Sequence, residues 1–150
     1  MPVDKELIEG LIDDIRRRLA ELRAQEVTEE KLEDMFFLWG VEHGLQTVLE
    51  AVLDIGRHIG AARAWGVKPR ARDYMIVLGE NGAIDKALAG KLAEAMSVRN
   101  RLVHEYGQIS KERLVEFVNK DLGDIDEYIK QVTAYLALDY GGLDGEEKTV

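Results

Sequence analysis

The most informative absence in this 150-residue sequence is cysteine, of which there is none. Without thiols the chain can form no disulfide, no thiolate metal site and no cysteine nucleophile. Only two prolines are present, so little interrupts a helix. No apolar run approaches the roughly 18 residues that a membrane-spanning helix needs, and residues 1–6 lack the architecture of a signal peptide. We therefore expect a cytoplasmic protein that contacts no membrane.

Positive charge is also scarce, with 20 Lys and Arg against 29 Asp and Glu and a net charge of −9. Such a chain is a poor general binder of nucleic acid, because attraction to phosphate supplies most non-specific affinity. The segment 55–72 is a local exception, since it contains basic residues and no acid. Arg57, Arg63 and Arg70 are candidates for lining an approach for RNA. The alternative for each is an ordinary solvated helix face.

Apolar residues recur at steps of three and four along almost the whole chain, which predicts helices. We expect helices at about 4–24, 28–64, 71–78, from 83 into the stretch 99–107, and 110–138. Asp4, Thr28 and Ser110 are candidate N-caps, and Gly123 is expected to interrupt the last helix. The sequence thus predicts an all-α up-and-down bundle of four long helices and one short helix. The helical domain would span 1–138, followed by a polar, frayed tail at 139–150.

The second predicted helix is longer than a domain of this size needs. At about 1.5 Å per residue it would extend on the order of 50 Å, so part of it is available to a second subunit. Gly40 and Gly44 share one face of this helix, where missing side chains allow close approach. His43 and His58 have no metal-ligand spacing around them. We expect neither a metal nor a cofactor.

Chemistry is concentrated in the stretch 99–107, where Arg99, Asn100, His104 and Tyr106 occur together. One interpretation is a simple helix end, since cations are favoured in a last turn and Gly107 is a natural cap. However, at 100° per residue Arg99 falls in the middle of the apolar stripe of its helix, where an unpaired guanidinium is expensive. His104 lies about 140° away on the same ideal helix. Either the helix frays after Val103, or two copies of the chain bring an Arg and a His together.

The run Arg99-Asn100-Arg101-Leu102-Val103-His104-Glu105-Tyr106 resembles the R-N-x-L-V-H-x-Y signature of the HEPN superfamily, specifically its HepT-type toxins. The run from Leu53 to Ile59 is also similar to the long helix of that family. The resemblance implies an HEPN-like fold and a homodimeric, metal-independent endoribonuclease, the toxin of a prokaryotic type VII-like toxin–antitoxin pair. It implies that the motif Arg and His, here Arg99 and His104, form a composite site at the dimer cleft. It also implies an MNT-type nucleotidyltransferase antitoxin that transfers AMP to Tyr106.

The same residues suit RNA cleavage on chemical grounds. With the 2′-OH as nucleophile, the protein need supply only proton transfer and charge stabilisation. The imidazole of His104 exchanges protons near neutral pH, and the guanidinium of Arg99 offers forked donors to phosphate oxygens. Asn100 is placed to position a phosphate or to orient His104. An AMP on Tyr106 would add anionic bulk at the mouth of the site.

Two other functions fit the sequence. The chain would serve equally well as a non-catalytic helical adaptor that docks a nucleotidyltransferase subunit and helps it to bind nucleotide. It would also serve as a plain dimeric bundle without chemistry, in which Arg99 is replaceable by an apolar residue. RNA cleavage that depends on His104 separates the first interpretation from these two.

Overall fold

The structure, a computed structural model, describes residues 2–104 and 109–139, and all regular secondary structure in these ranges is helical, without a strand. Its helices are α1 (Lys5–Ala24), α2 (Met35–Ala62), the short α3 (Ala71–Glu80), α4 (Lys86–His104), and a continuous last helix that comprises α5 (Lys111–Glu116), a π-helical turn (Phe117–Asp121) and α6 (Leu122–Asp139). Four long helices and one short helix are as predicted, and the all-α fold is confirmed. The predicted tail lies outside the described residues from position 140 onward.

Side-chain caps mark where α1, α2 and α5 begin. Asp4 and Ser110 accept hydrogen bonds from the backbone N–H groups of Leu7 and Arg113, each at 3.1 Å, as predicted. The predicted start of α2 at Thr28 is wrong. Thr28 Oγ1 accepts from Lys31 N at 3.2 Å and begins only a 3₁₀ turn. Extended backbone at Asp34 (ψ 118°) ends that turn, and its carboxylate caps α2 instead.

The π-helical turn corrects a second expectation. Gly123 was expected to interrupt the last helix, but it lies inside α6. The helix widens immediately before it, at Phe117–Asp121. Arg113 stabilises this turn, because its Nη1 donates to Asp121 Oδ2 at 2.7 Å and its guanidinium lies 5.4 Å from the centre of the Phe117 ring.

Asp85 fixes the start of α4 and joins it to α6. Its Oδ1 accepts from Leu88 N at 2.7 Å, and its Oδ2 accepts from Gln131 Nε2 at 2.8 Å. The backbone N–H of Asp85 returns a hydrogen bond to Gln131 Oε1 at 2.7 Å. The hydrogen bond from Leu88 N, followed by that from Gln131, lowers the pKa of the Asp85 carboxyl.

This lowered pKa has a consequence for acid stability. A carboxyl with a lower pKa in the folded state stabilises the fold above its unfolded pKa, and this stabilisation is lost as the pH falls through the folded pKa. Asp85→Asn keeps an acceptor for Leu88 N but cannot titrate. We expect wild type to lose more stability than Asp85→Asn between pH 7 and about pH 3. Thermal unfolding at a series of pH values measures this, and parallel curves for the two proteins would contradict it.

Contacts between helices establish their directions. The Tyr128 hydroxyl of α6 donates to the Val52 carbonyl of α2 at 2.9 Å, and Arg63 Nε donates to the Tyr135 hydroxyl at 3.0 Å. Because both numbers increase together, α6 runs parallel to α2. Lys91 pairs with Asp124 at 3.9 Å, while Asp85 meets Gln131, so α4 runs antiparallel to both. The last turn of α4 therefore lies beside the first turns of α2.

None of the helices in the described ranges is long and apolar enough to cross a membrane.

Candidate active site at the end of helix α4

Arg99 lies on the inner side of α4, as its place on the apolar stripe predicts. The side chain is half-buried, between the buried Val98 and the exposed Asn100. Arg99 Nη1 donates to Asn100 Oδ1 at 3.0 Å. Its Nε is buried and has no hydrogen-bond partner within residues 2–104 and 109–139. A buried donor without a partner is unfavourable by about 1–3 kcal/mol, which makes Arg99 a candidate for anion binding.

His104 is the last residue of α4 and is exposed. Helix α4 is regular through His104. The structure therefore does not support the alternative in which this helix frays directly after Val103. On an uninterrupted helix, Arg99 and His104 stand about 140° apart. One copy of the chain therefore presents a half-buried cation and an exposed imidazole on different sides of the same helix end.

Tyr106, the predicted site of modification, lies outside the described residues, as do its neighbours at 105, 107 and 108. The chain returns at Ile109, which is buried, and Lys111 pairs with Glu33 at 3.0 Å. The start of α5 is thus bound to the segment that precedes α2.

A cavity of about 500 Å³ separates the last turn of α4 from the first turns of α2. Leu102 of α4 and Trp39 of α2 line it, together with Met35, Leu38, Glu42, His43, Gln46, Ile109 and Lys111. Burial raises the pKa of the Glu42 carboxyl. Sequence reasoning missed this cavity, because it depends on α2 and α4 running antiparallel. In the described part of the chain, no three His, Asp or Glu side chains are grouped as a metal site requires.

The three predicted RNA-binding arginines lie toward the other end of α2 and engage other side chains. Arg57 contacts Asp54 at 3.4 Å and lies over the Tyr74 ring. Arg63 donates to the Tyr135 hydroxyl, and Arg70 binds Asp73 through two hydrogen bonds of 3.0 and 3.1 Å. Arg57 is 18 residues beyond Trp39, which is about 27 Å along a helix. A single chain does not bring these arginines to Arg99, and their contact with RNA stays a prediction.

A family model described as Ribonuclease HepT-like matches residues 8–132. This chain belongs to the HepT-like ribonucleases. The mRNA nuclease HepT of Shewanella oneidensis is 30% identical over 90 residues, which cover 60% of this HepT-like chain and 68% of the relative. The tRNA nuclease HepT of Aphanizomenon flos-aquae is 30% identical over 95 residues, which cover 63% and 65%. The resemblance to HepT-type HEPN toxins is thereby confirmed.

Solved structures share the fold of this HepT-like chain. The tri-AMPylated HEPN toxin of Shewanella oneidensis, in complex with its MNT antitoxin, superposes with a TM-score of 0.78 at 26% identity and covers 87% of this chain and 98% of the toxin. A toxin–antitoxin with AMP-PNP gives a TM-score of 0.80 at 25% identity, covering 87% and 99%. The Bacillus subtilis cytosolic protein YutE, of unknown function, gives 0.81 at 16% identity over 93% and 94%, which shows the fold alone.

Proposed function

We propose that this HepT-like chain is the toxin of a toxin–antitoxin pair and cuts RNA without a metal ion. The ribose 2′-oxygen attacks the adjacent phosphorus, its proton passes to a base, and the 5′-oxygen leaves as it gains a proton. The products are a 2′,3′-cyclic phosphate and a 5′-hydroxyl. The observation that carries the proposal is the half-buried Arg99, with a buried Nε that lacks a partner among the described residues, five positions before the exposed His104.

Each motif side chain has a defined role in this reaction. His104, exposed at the helix end, transfers protons to and from the ribose oxygens. Arg99 stabilises the extra negative charge of the pentacoordinate phosphorus, where a fixed cation acts most strongly in a partly desolvated site. Asn100 accepts a hydrogen bond from Arg99 and thereby holds the guanidinium in place.

One copy of the chain holds only half of the site. Arg99 and His104 are separated by about 140° around an uninterrupted helix, so they cannot easily grip one phosphate together. A two-fold dimer places Arg99 of one copy opposite His104 of the other. We therefore propose a homodimer with composite sites in its cleft.

The partner in this proposal is an MNT-type nucleotidyltransferase antitoxin. The phenolic oxygen of Tyr106 attacks the α-phosphorus of ATP, pyrophosphate leaves, and the phenolic proton is released. The resulting phosphodiester carries negative charge two residues after His104 and repels the RNA backbone. Support comes from the structural similarity to a tri-AMPylated HEPN toxin that is bound to an MNT antitoxin.

The function is tested with end-labelled RNA in excess EDTA, using protein whose intact mass shows no added AMP. We expect wild type to cut and to leave 2′,3′-cyclic phosphate ends. His104→Ala should cut at least about 100-fold more slowly, the scale of lost acid–base catalysis.

His58→Ala is the matched control, because His58 is also exposed on a helix but lies near the far end of α2. It should retain wild-type cleavage. Equal cutting by wild type and His104→Ala would refute the mechanism. No cutting by unmodified wild type, with tight binding to the nucleotidyltransferase, would favour the non-catalytic adaptor.

A further inference from the structure

Large apolar side chains stand in solvent at the first turn of α2. Phe36 is 81% exposed and Trp39 is 56% exposed. Their rings pack edge to face with centroids 5.6 Å apart, so they form one protrusion, which we call the aromatic knob. Exposed aromatic rings that form a contiguous patch mark interaction sites in soluble proteins.

A groove lies directly beside the knob, between α1 and α2. It encloses about 340 Å³ and is lined by Leu22, Phe37, Gly40, Val41 and Gly44, among others, and Phe36 of the knob forms part of its wall. A Cβ built on Gly40 meets nothing within 4 Å. This glycine groove is therefore open at Gly40, whereas at Gly44 the Leu22 side chain lies 3.1 Å from such a Cβ and closes the floor. A side chain of another molecule can enter at Gly40 without any rearrangement of the helix.

The knob and the groove share one face, and this makes the face self-complementary. A two-fold interface uses the same patch on both subunits, so it requires a protrusion and a recess side by side. We propose that this face binds a second copy of the chain, with the aromatic knob of each copy in the glycine groove of the other. The inference rests on the proposed function, because it names the contact that brings the composite site together.

Charge favours another protein surface over RNA as the occupant. The segment 26–42 contains six acidic residues and one lysine, so it repels a phosphate backbone. Arg18 lines the groove, is half-buried, and makes no ion pair or hydrogen bond in the described ranges. The groove also contains Glu21, so Arg18 is the cation that the proposed pair offers to the acidic segment around the knob of the other copy.

The position of the knob connects this interface to the chemistry. Trp39 lines the same cavity as Leu102, which is two residues before His104. A copy that is docked on the knob therefore lies next to the last turn of α4, where the half-site needs its complement. Dimerisation through a distant face would leave Arg99 and His104 of different copies apart.

Two opposite substitutions test the inference. Phe36→Ser with Trp39→Ser removes the knob. Gly40→Leu fills the groove instead, and should leave the melting temperature unchanged or higher, since leucine favours a helix more than glycine does and the added atoms enter open space. Val67→Ser and Gly10→Leu are matched controls, because Val67 is 93% exposed and a Cβ on Gly10 also meets nothing within 4 Å.

Sedimentation velocity over a concentration series gives the mass and the dissociation constant, and RNA cleavage is measured in parallel. Wild type and both controls should sediment at twice the 16.9 kDa chain mass. Either test variant should weaken the dimer by about 30-fold or more, the effect of losing an interface hot spot, and should lose cleavage as monomer accumulates.

Test variants that dimerise as wild type does would overturn the inference, while RNA cleavage by wild type would still uphold the proposed function. A wild-type monomer that cuts RNA would overturn both the inference and the composite site. A monomeric Gly40→Leu chain that cuts RNA at the wild-type rate would also overturn it. Conversely, wild type could be a dimer that cuts no RNA, while both test variants are monomers. That result would support the interface and refute the proposed function.

Discussion

Mixing two inactive variants, Arg99→Ala and His104→Ala, is expected to restore RNA cleavage to about a quarter of the wild-type rate. Each variant alone should fall by about 100-fold or more, because one loses charge stabilisation and the other loses proton transfer. These are the largest effects on activity that the structure leads us to expect.

The recovery follows from the two-fold arrangement. If subunits exchange freely, about half of the dimers contain one copy of each variant. In such a dimer, one site combines the intact Arg99 of one copy with the intact His104 of the other, while the second site lacks both. Half of the dimers with half of their sites restored give a quarter of the activity.

Single-turnover cleavage of labelled RNA measures this recovery after the two proteins are mixed and incubated. A double variant, Arg99→Ala with His104→Ala, mixed with wild type provides the control, because its heterodimers have no complete site. No recovery in a mixture that forms heterodimers would contradict a site built from opposite copies, since a site within one chain cannot be completed by exchange.

Tyr128→Ala is expected to lower the free energy of unfolding by about 3–5 kcal/mol, the range for removing a large buried aromatic side chain. Tyr128 is fully buried in α6, and its hydroxyl donates to the Val52 carbonyl in the middle of α2. Since folded domains are stable by only about 5–15 kcal/mol, this substitution should leave the chain close to unfolding.

Tyr128→Phe separates packing from hydrogen bonding, because it retains the ring and removes only the hydroxyl. It should lose about 0.5–1.5 kcal/mol. Urea unfolding followed by circular dichroism measures both variants, at one protein concentration because a dimer links stability to concentration. Similar losses for the two variants would show that the hydroxyl, not the ring, holds α6 to α2.

Much of the fold could be predicted because helix periodicity and capping are local properties. Asp4 and Ser110 begin helices as expected, since each has a polar oxygen directly before an apolar repeat. Thr28 has the same signature, yet α2 begins at Asp34. Thr28 caps only a turn, whereas Asp34, where the backbone is extended, caps the helix α2. Leu32, between these two residues, is fully buried in the core, and such a tertiary contact is not contained in a local pattern.

The candidate site was predictable in part for a similar reason. The half-burial of Arg99 follows from its angular position in the middle of the apolar stripe of α4. The aromatic knob was missed, although residues 35–39 are five consecutive apolar residues. Consecutive positions on a helix point in all directions, so some of the five had to be exposed. The separation of Arg57 from Arg99 depends on helix directions, which only the tertiary contacts supply.

The two tryptophans of the chain stand near opposite ends of α2. Trp39 projects into water on the knob, whereas the half-buried Trp65 packs against the core near Gly60. An indole that passes from water into an apolar contact emits at shorter wavelength. The protein therefore carries its own optical reporter: in a Trp65→Phe background, the emission of Trp39 alone reports whether the knob is covered, without an attached dye.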